Sequence, residues 1–223
     1  MNKAKITEIF SSIQGEGKYV GEKQIFVRFS GCNLKCDYCD TNHEKVFEYS
    51  ANDLICELEK YDLNTIHSVS LTGGEPLMQA DFINEFAPDL KKKFFLETNA
   101  TLPNQLDKVA GNIDIIAADI KLNSCTKQGD KFDLHKEFFK IAKKNNVEAF
   151  IKIVFDKNIE EYEIEKCVEI AKEFDYEIFL QPKMTETNFD VDINFALEIF
   201  EKFKKIYPKV RFIPQMHKFW GVK

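Results

Sequence analysis

The chain has 223 residues, with 31 basic and 37 acidic side chains and a formal net charge of −6. That length favours one domain with a sizeable core, and the acidic balance argues against a nucleic-acid partner held by bulk charge. No apolar run approaches the roughly 18–20 residues of a membrane span, and Met1–Glu8 carries no signal-peptide core, so the expectation is a cytoplasmic protein without membrane contact.

Residues 6–13 read as a strand that enters a polar turn, Gln14-Gly15-Glu16-Gly17. Gln24–Ser30 is a second strand, delivering its C-terminal end to a cysteine-rich loop. Ser50 opens a helix to about Tyr61 with a Ser-x-x-Asp start. Strands are then predicted at 66–72, 94–98, 113–119, 148–155, 176–181 and 209–214. Helices fit 79–92, 102–110, 131–145, 159–174 and 190–206. Strands alternating with crossover helices imply a parallel sheet, either open and doubly wound or curved into a barrel.

Several of these strands carry polar residues near their C-terminal ends. Thr72 closes one, before Gly73-Gly74-Glu75-Pro76, and Glu97-Thr98-Asn99 closes the next. Asp119 and Lys121 follow, then Lys152, facing opposite to Ile151 and Ile153, then Gln181. A habit repeated on successive strands suggests a shared ligand site, because parallel α/β folds bind ligands at the carboxyl edge of the sheet.

The cysteine loop leaves a strand at that same edge. Cys32, Cys36 and Cys39 are spaced C-x3-C-x2-C, while Cys56, Cys125 and Cys167 are scattered and read as ordinary thiols. A reducing compartment disfavours a disulfide and favours a metal. Zinc on three thiolates plus His43 stays open, although no second cysteine knuckle follows. An iron–sulfur cluster is favoured; with three protein thiolates it keeps one iron free, which suits substrate chemistry better than electron storage. Of 31 basic residues only Arg28 and Arg211 are arginines, and Arg28 is the candidate for gripping a carboxylate with a planar fork.

The cysteine spacing, the aromatic Tyr38 before the last cysteine and Gly73-Gly74-Glu75-Pro76 after a strand resemble the radical S-adenosylmethionine (SAM) superfamily. The resemblance implies an α/β fold, a partial (β/α)6-type TIM-like barrel with an N-terminal strand extension and a C-terminal strand and tail, in one radical SAM domain over 1–223. A narrower match rests on Phe10–Gly17, Arg28, Cys39-Asp40-Thr41, Glu97-Thr98-Asn99, Asp119-Ile120-Lys121 and Gln215–Lys218. These segments resemble the 7-carboxy-7-deazaguanine synthases, which convert 6-carboxy-5,6,7,8-tetrahydropterin to 7-carboxy-7-deazaguanine with loss of ammonia, in the pathway to queuosine and related 7-deazapurines. The sequence departs from that pattern at Ala100, where glycine is usual, and at Asn123-Ser124, where Pro-Ser is common.

By this resemblance Cys32, Cys36 and Cys39 hold a [4Fe–4S] cluster and Thr41 a Mg2+ ion. Tyr38, Asp40, Gly74, Glu75, Ser124, Lys152 and Gln181 contact SAM. Ile13, Gln14, Gly15, Glu16, Arg28, Thr72 and His217 contact the pterin, with Arg28 on its carboxylate. The implied partners are an electron donor such as flavodoxin or ferredoxin and a second copy in a homodimer. Two other readings stand beside it: a glycyl-radical-type activase of the same superfamily, and a non-catalytic zinc-binding module.

Overall fold

The computed structural model describes residues 2–36, 39 and 45–223. The chain begins on two antiparallel strands, β1 (Ala4–Ile13) and β2 (Lys23–Phe29), and a short β3 (Phe47–Tyr49) pairs with the other side of β1. Helix α1 (Ala51–Leu58) starts at the predicted box: Asp53 N donates to Ser50 Oγ and Ser50 N donates to Asp53 Oδ2, each at 3.2 Å. Strands and helices then alternate through β4 (Ser68–Gly73), α2 (Ala80–Phe86), β5 (Phe94–Thr98), α3 (Pro103–Val109) and β6 (Ile115–Asp119). They continue through a short α4 (Asn123–Thr126), α5 (Phe132–Lys144), β7 (Glu148–Phe155), α6 (Glu161–Phe174) and β8 (Ile178–Pro182). A small hairpin of β9 (Met184–Thr185) and β10 (Asn188–Phe189) precedes α7 (Ile193–Ile206), β11 (Val210–Phe212) and a terminal α8 (Met216–Trp220).

The large sheet runs β11-β8-β7-β6-β5-β4-β2-β1-β3. From β2 through β4, β5, β6, β7 and β8 to β11 every pairing is parallel. This is the parallel α/β wall that the alternation implies, with β1 and β3 as the N-terminal extension and β11 with α8 as the C-terminal one. The helix expected at 79–92 is shorter. Its α-helical part ends at Phe86 and a 3-10 turn covers Ala87–Asp89, because Pro88 has no N–H to continue the ladder.

Side-chain alternation divides the interior into two layers. Val69 and Leu71, Phe94 and Leu96, Ile116 and Ala118, and Ile151 and Ile153 face the helices and belong to the main core. The opposite residues, Phe95, Ile115, Ala117, Phe150 and Phe179, close a separate apolar cluster inside the curved sheet, with Tyr19 and Ile213 packed against it. One step further along each strand the same inward face turns polar. Arg28, Thr72, Glu97, Asp119, Lys152 and Gln181 all line one cavity above the apolar floor. Period-two alternation therefore builds both the floor of the site and its ring of functional groups.

Candidate active site

The cavity encloses about 420 Å³, within the usual range for a small-molecule site. Cys32, Cys36 and Cys39 border one side, and the Gln14–Glu16 turn, Arg28 and His217 border another. Glycine is what lets the cysteine loop sit there. Glu75 N donates to Gly31 O at 2.8 Å, and a Cβ on Gly74 would stand 1.9 Å from that same oxygen. No larger residue fits at Gly74 without moving the loop.

The loop is also tied to the end of β5. Asn99 Nδ2 donates to Asn33 Oδ1 at 2.9 Å and reaches Cys32 Sγ at 3.8 Å, while Asn33 Nδ2 donates to Thr101 Oγ1 at 2.9 Å. Glu75, expected at SAM, is fully buried and turned into the fold. It accepts from Leu77 N and Thr98 Oγ1 on one oxygen and from Asn99 N on the other. Burial pushes its carboxyl up to about 7 against the pull of those donors. Glu75 is thus a brace between the β4 and β5 loops, and its part in holding the site runs through Asn99.

His135, to which the sequence assigned no role, ties two further loops together. Its Nδ1 lies 3.2 Å from Ala100 O, and Lys121 N donates to its Nε2 at 3.2 Å. The proton therefore sits on Nδ1. Burial pushes this imidazole down to about 3.

On the opposite wall Gln14 uses its whole amide inside the protein. Nε2 donates to Gln24 Oε1 and to Glu97 Oε1, both at 2.9 Å, and Oε1 accepts from Glu16 N at 3.0 Å. Its side chain shapes the wall more than it offers free donors. Glu97, which the sequence reading quoted in a motif and gave no role, is the carboxylate at the centre. Its Oε1 also accepts from Ser70 Oγ at 3.0 Å, and its Oε2 accepts a long 3.3 Å bond from Thr72 Oγ1. Its signal was available: an acidic residue on the inward phase of β5, two positions after Phe95.

Glu16 accepts from Gln215 Nε2 at 2.9 Å on Oε1 and from Lys152 Nζ on Oε2, and His217 Nδ1 stands 4.0 Å from Oε1. Arg28 Nε lies 3.6 Å from Glu8 Oε2, and its guanidinium sits 5.5 Å from the centre of the Phe10 ring. Lys223 Nζ binds the other Glu8 oxygen and sits 5.4 Å from the same ring. Two cations thus share one carboxylate beside the cavity.

Ile13, Gly15, Gly74 and Gln181 also reach the cavity. Ser124 does not border it; its N donates to Glu163 Oε1 at 2.9 Å and its buried Oγ has no hydrogen-bond partner among the described residues. Tyr38, Asp40, Thr41 and His43 lie outside the described residues.

Three soft thiol ligands on one rim suit iron–sulfur chemistry. Among the described residues no three His, Cys, Asp or Glu side chains converge as a single-ion site. Burial pushes the Cys32 and Cys36 thiols up, so holding a metal there requires their deprotonation. Asp119 Oδ1 is buried with no hydrogen-bond partner among the described residues, in a residue that lines the cavity, while Oδ2 pairs with Lys121 at 2.7 Å. An acceptor of that kind fits a hydroxyl donor such as the SAM ribose.

The profile of the radical SAM superfamily matches residues 26–171. A 7-carboxy-7-deazaguanine synthase from Geobacter sulfurreducens is 35% identical over 98% of this chain and 97% of its own. One from Archaeoglobus fulgidus is 34% identical over 99% of this chain and 100% of its own. In the fold, the crystal structure of QueE from Escherichia coli superposes with a TM-score of 0.65 at 22% identity, covering 96% of this chain and 95% of that one. No described helix is long and apolar enough to cross a membrane.

Proposed function

The chain belongs to the 7-carboxy-7-deazaguanine synthase family of the radical SAM superfamily, and from that premise we propose how its residues divide the work. It converts 6-carboxy-5,6,7,8-tetrahydropterin to 7-carboxy-7-deazaguanine with loss of ammonia, using a [4Fe–4S] cluster and SAM. The observation that carries this reading is the single cavity bordered by three cysteine thiols on one side and by a cation pair and two carboxylates on the other.

Cys32, Cys36 and Cys39 hold the cluster. When bound, it supplies the electron that cleaves SAM, and SAM supplies the fragment that takes hydrogen from the pterin. Gly74 leaves its backbone open to the SAM amino group, while Asp119 and Gln181 border the space for its other polar parts. Tyr38 and Asp40 contact SAM beside the cluster.

The pterin lies across the opposite wall. Arg28, steadied by Phe10 and Glu8, grips its carboxylate, and Lys223 adds a second positive charge that Glu8 alone cannot balance. Glu16 and Glu97 accept from the N–H donors of the aminopyrimidinone ring, with Thr72 and Ser70 holding Glu97. Ile13 and Gly15 form the approach, and His217 closes the tail over Glu16. Thr41 ligates a Mg2+ ion that positions the substrate. The reading also carries a homodimer, a flavodoxin- or ferredoxin-like electron donor and a cytoplasmic setting.

Anaerobically reconstituted, chemically reduced enzyme given SAM and the carboxytetrahydropterin is expected to form 7-carboxy-7-deazaguanine. An intact cluster that cleaves SAM and yields no deazapurine would overturn the reading and favour an activase.

A further inference from the structure

Lys152 stands on the inward phase of β7, between the apolar Phe150 of the floor and Val154. Both members of its pair with Glu16 are nearly buried, with side chains 9% and 15% exposed. An ammonium in that position needs a partner, and it has committed itself to Glu16 Oε2 rather than to open cavity. Glu16 is correspondingly fixed from three directions. Lys152 holds Oε2, Gln215 holds Oε1, and the Gln14 side chain holds its backbone N–H.

We propose that Lys152 is a positioning residue: it acts through Glu16, holding that carboxylate ionised and turned toward the N–H edge of the pterin, and does not act by contact with SAM. The proposal rests on the reading in which Glu16 recognises the pterin.

Electrostatics support the geometry. Burial raises the Glu16 carboxyl, yet the Lys152 ammonium and its hydrogen bond, helped by Gln215 and His217, bring it down to about 2. Burial lowers Lys152, and the surrounding carboxylates Glu16, Asp119 and Glu97 overcome that and hold it well above the usual lysine range. The carboxylates facing the pair are Asp119 on β6, already paired with Lys121, and Glu97 on β5, and the titratable His217 faces it from the tail. Without Lys152, Glu16 keeps its burial and loses its strongest cation. Its proton affinity then rises toward the neutral range, and a protonated Glu16 presents a donor where the substrate also presents donors.

The test is an anaerobic titration of cluster-loaded, SAM-bound, unreduced enzyme with 6-carboxy-5,6,7,8-tetrahydropterin between about pH 6 and 8.5, the window in which a raised Glu16 would titrate. Wild-type affinity is expected to be level across this window. Lys152→Met is expected to bind the pterin roughly 10- to 100-fold more weakly at pH 6.5, and to recover about tenfold by pH 8.5 as Glu16 ionises. Its SAM affinity should stay within about twofold, and Lys152→Arg should restore the level profile because it keeps the charge. Should Lys152→Met fail to fold, Glu16→Gln is compared with Glu16→Gln/Lys152→Met, in which neither charge of the pair remains. The two should bind the pterin alike.

A pH-independent loss in Lys152→Met overturns the proposal. So does a further tenfold loss when Lys152→Met is added to Glu16→Gln, and so does a tenfold fall in SAM affinity. Wild-type enzyme that binds SAM and no pterin at any pH would instead remove the functional reading, and the proposal with it.

Discussion

Arg28 has its guanidinium over Phe10 and its Nε 3.6 Å from Glu8, a rigid cation aimed by an aromatic face and a carboxylate. Lysine can keep the charge there but not the fork or the stacking. Arg28→Lys should therefore weaken pterin binding by about 10- to 100-fold, the worth of a charge-assisted bidentate contact. SAM cleavage measured without pterin should be unchanged. His135 carries a pH prediction. An unfolded imidazole takes up a proton near 6.5 and the folded one resists until about 3, so acid favours the unfolded chain between those values. Wild-type stability should fall by about 2 kcal/mol between pH 7.5 and pH 5 from this group alone. His135→Gln, which loses two hydrogen bonds, should be about 1–2 kcal/mol less stable at pH 7.5, and urea titrations should show the gap closing by pH 5. At this scale the sequence pointed most directly to the cavity where chemistry is rare: three close cysteines and one of two arginines all line it. It was least legible where tertiary packing assigns the role. Nothing in the local pattern around His135 or Asn99 says which loop each will hold, and Glu75 faces into the fold because three donors meet it there. Ala100, which departs from the family pattern, adopts φ of +53°, a conformation glycine takes more easily. Its N–H, donated to Thr98 Oγ1, and its carbonyl, next to His135, help hold it there.

The loops that build the site depend on close backbone approaches. A Cβ at Gly74 would meet Gly31 O at 1.9 Å, so Gly74→Ala must displace the cysteine loop. The expected result is a loss of about 1–3 kcal/mol of stability and poor iron incorporation, read by iron and sulfide analysis. A Cβ at Gly15 would meet His217 N at 2.5 Å, where Met216 N donates to Gly15 O at 2.9 Å. Gly15→Ala should push the tail away. Pterin binding should weaken by roughly tenfold, the value of about one lost backbone bond with its neighbours, while SAM affinity holds. Elements with a long periodic signal were readable, β7, α5 and α6 among them. The β9–β10 hairpin was not, because strands of two residues show no alternation, and their order comes from Phe189 packing on Phe212 and Phe219. The helix expected at 79–92 overran a Pro88 whose meaning was local and available.

Over the whole molecule, alternation of strand and helix was enough to give a parallel α/β sheet, and the polar strand ends pointed to the carboxyl edge, where the cavity lies. The choice between an open sheet and a partial barrel was not in the periodicity. It follows from the Phe95, Phe150 and Phe179 cluster filling a concave side, a contact among residues distant in sequence. The homodimer expected of the family predicts a solution mass of twice the 26.0 kDa chain by light scattering. The central claim is that one cavity brings the cluster's chemistry to one pterin C–H bond, so isotope transfer tests it most directly. With the carboxytetrahydropterin deuterated at C6, the 5′-deoxyadenosine formed during product synthesis should carry deuterium, and the same turnover by Cys36→Ala should form none. Product formed with 5′-deoxyadenosine that contains only protium would contradict the account.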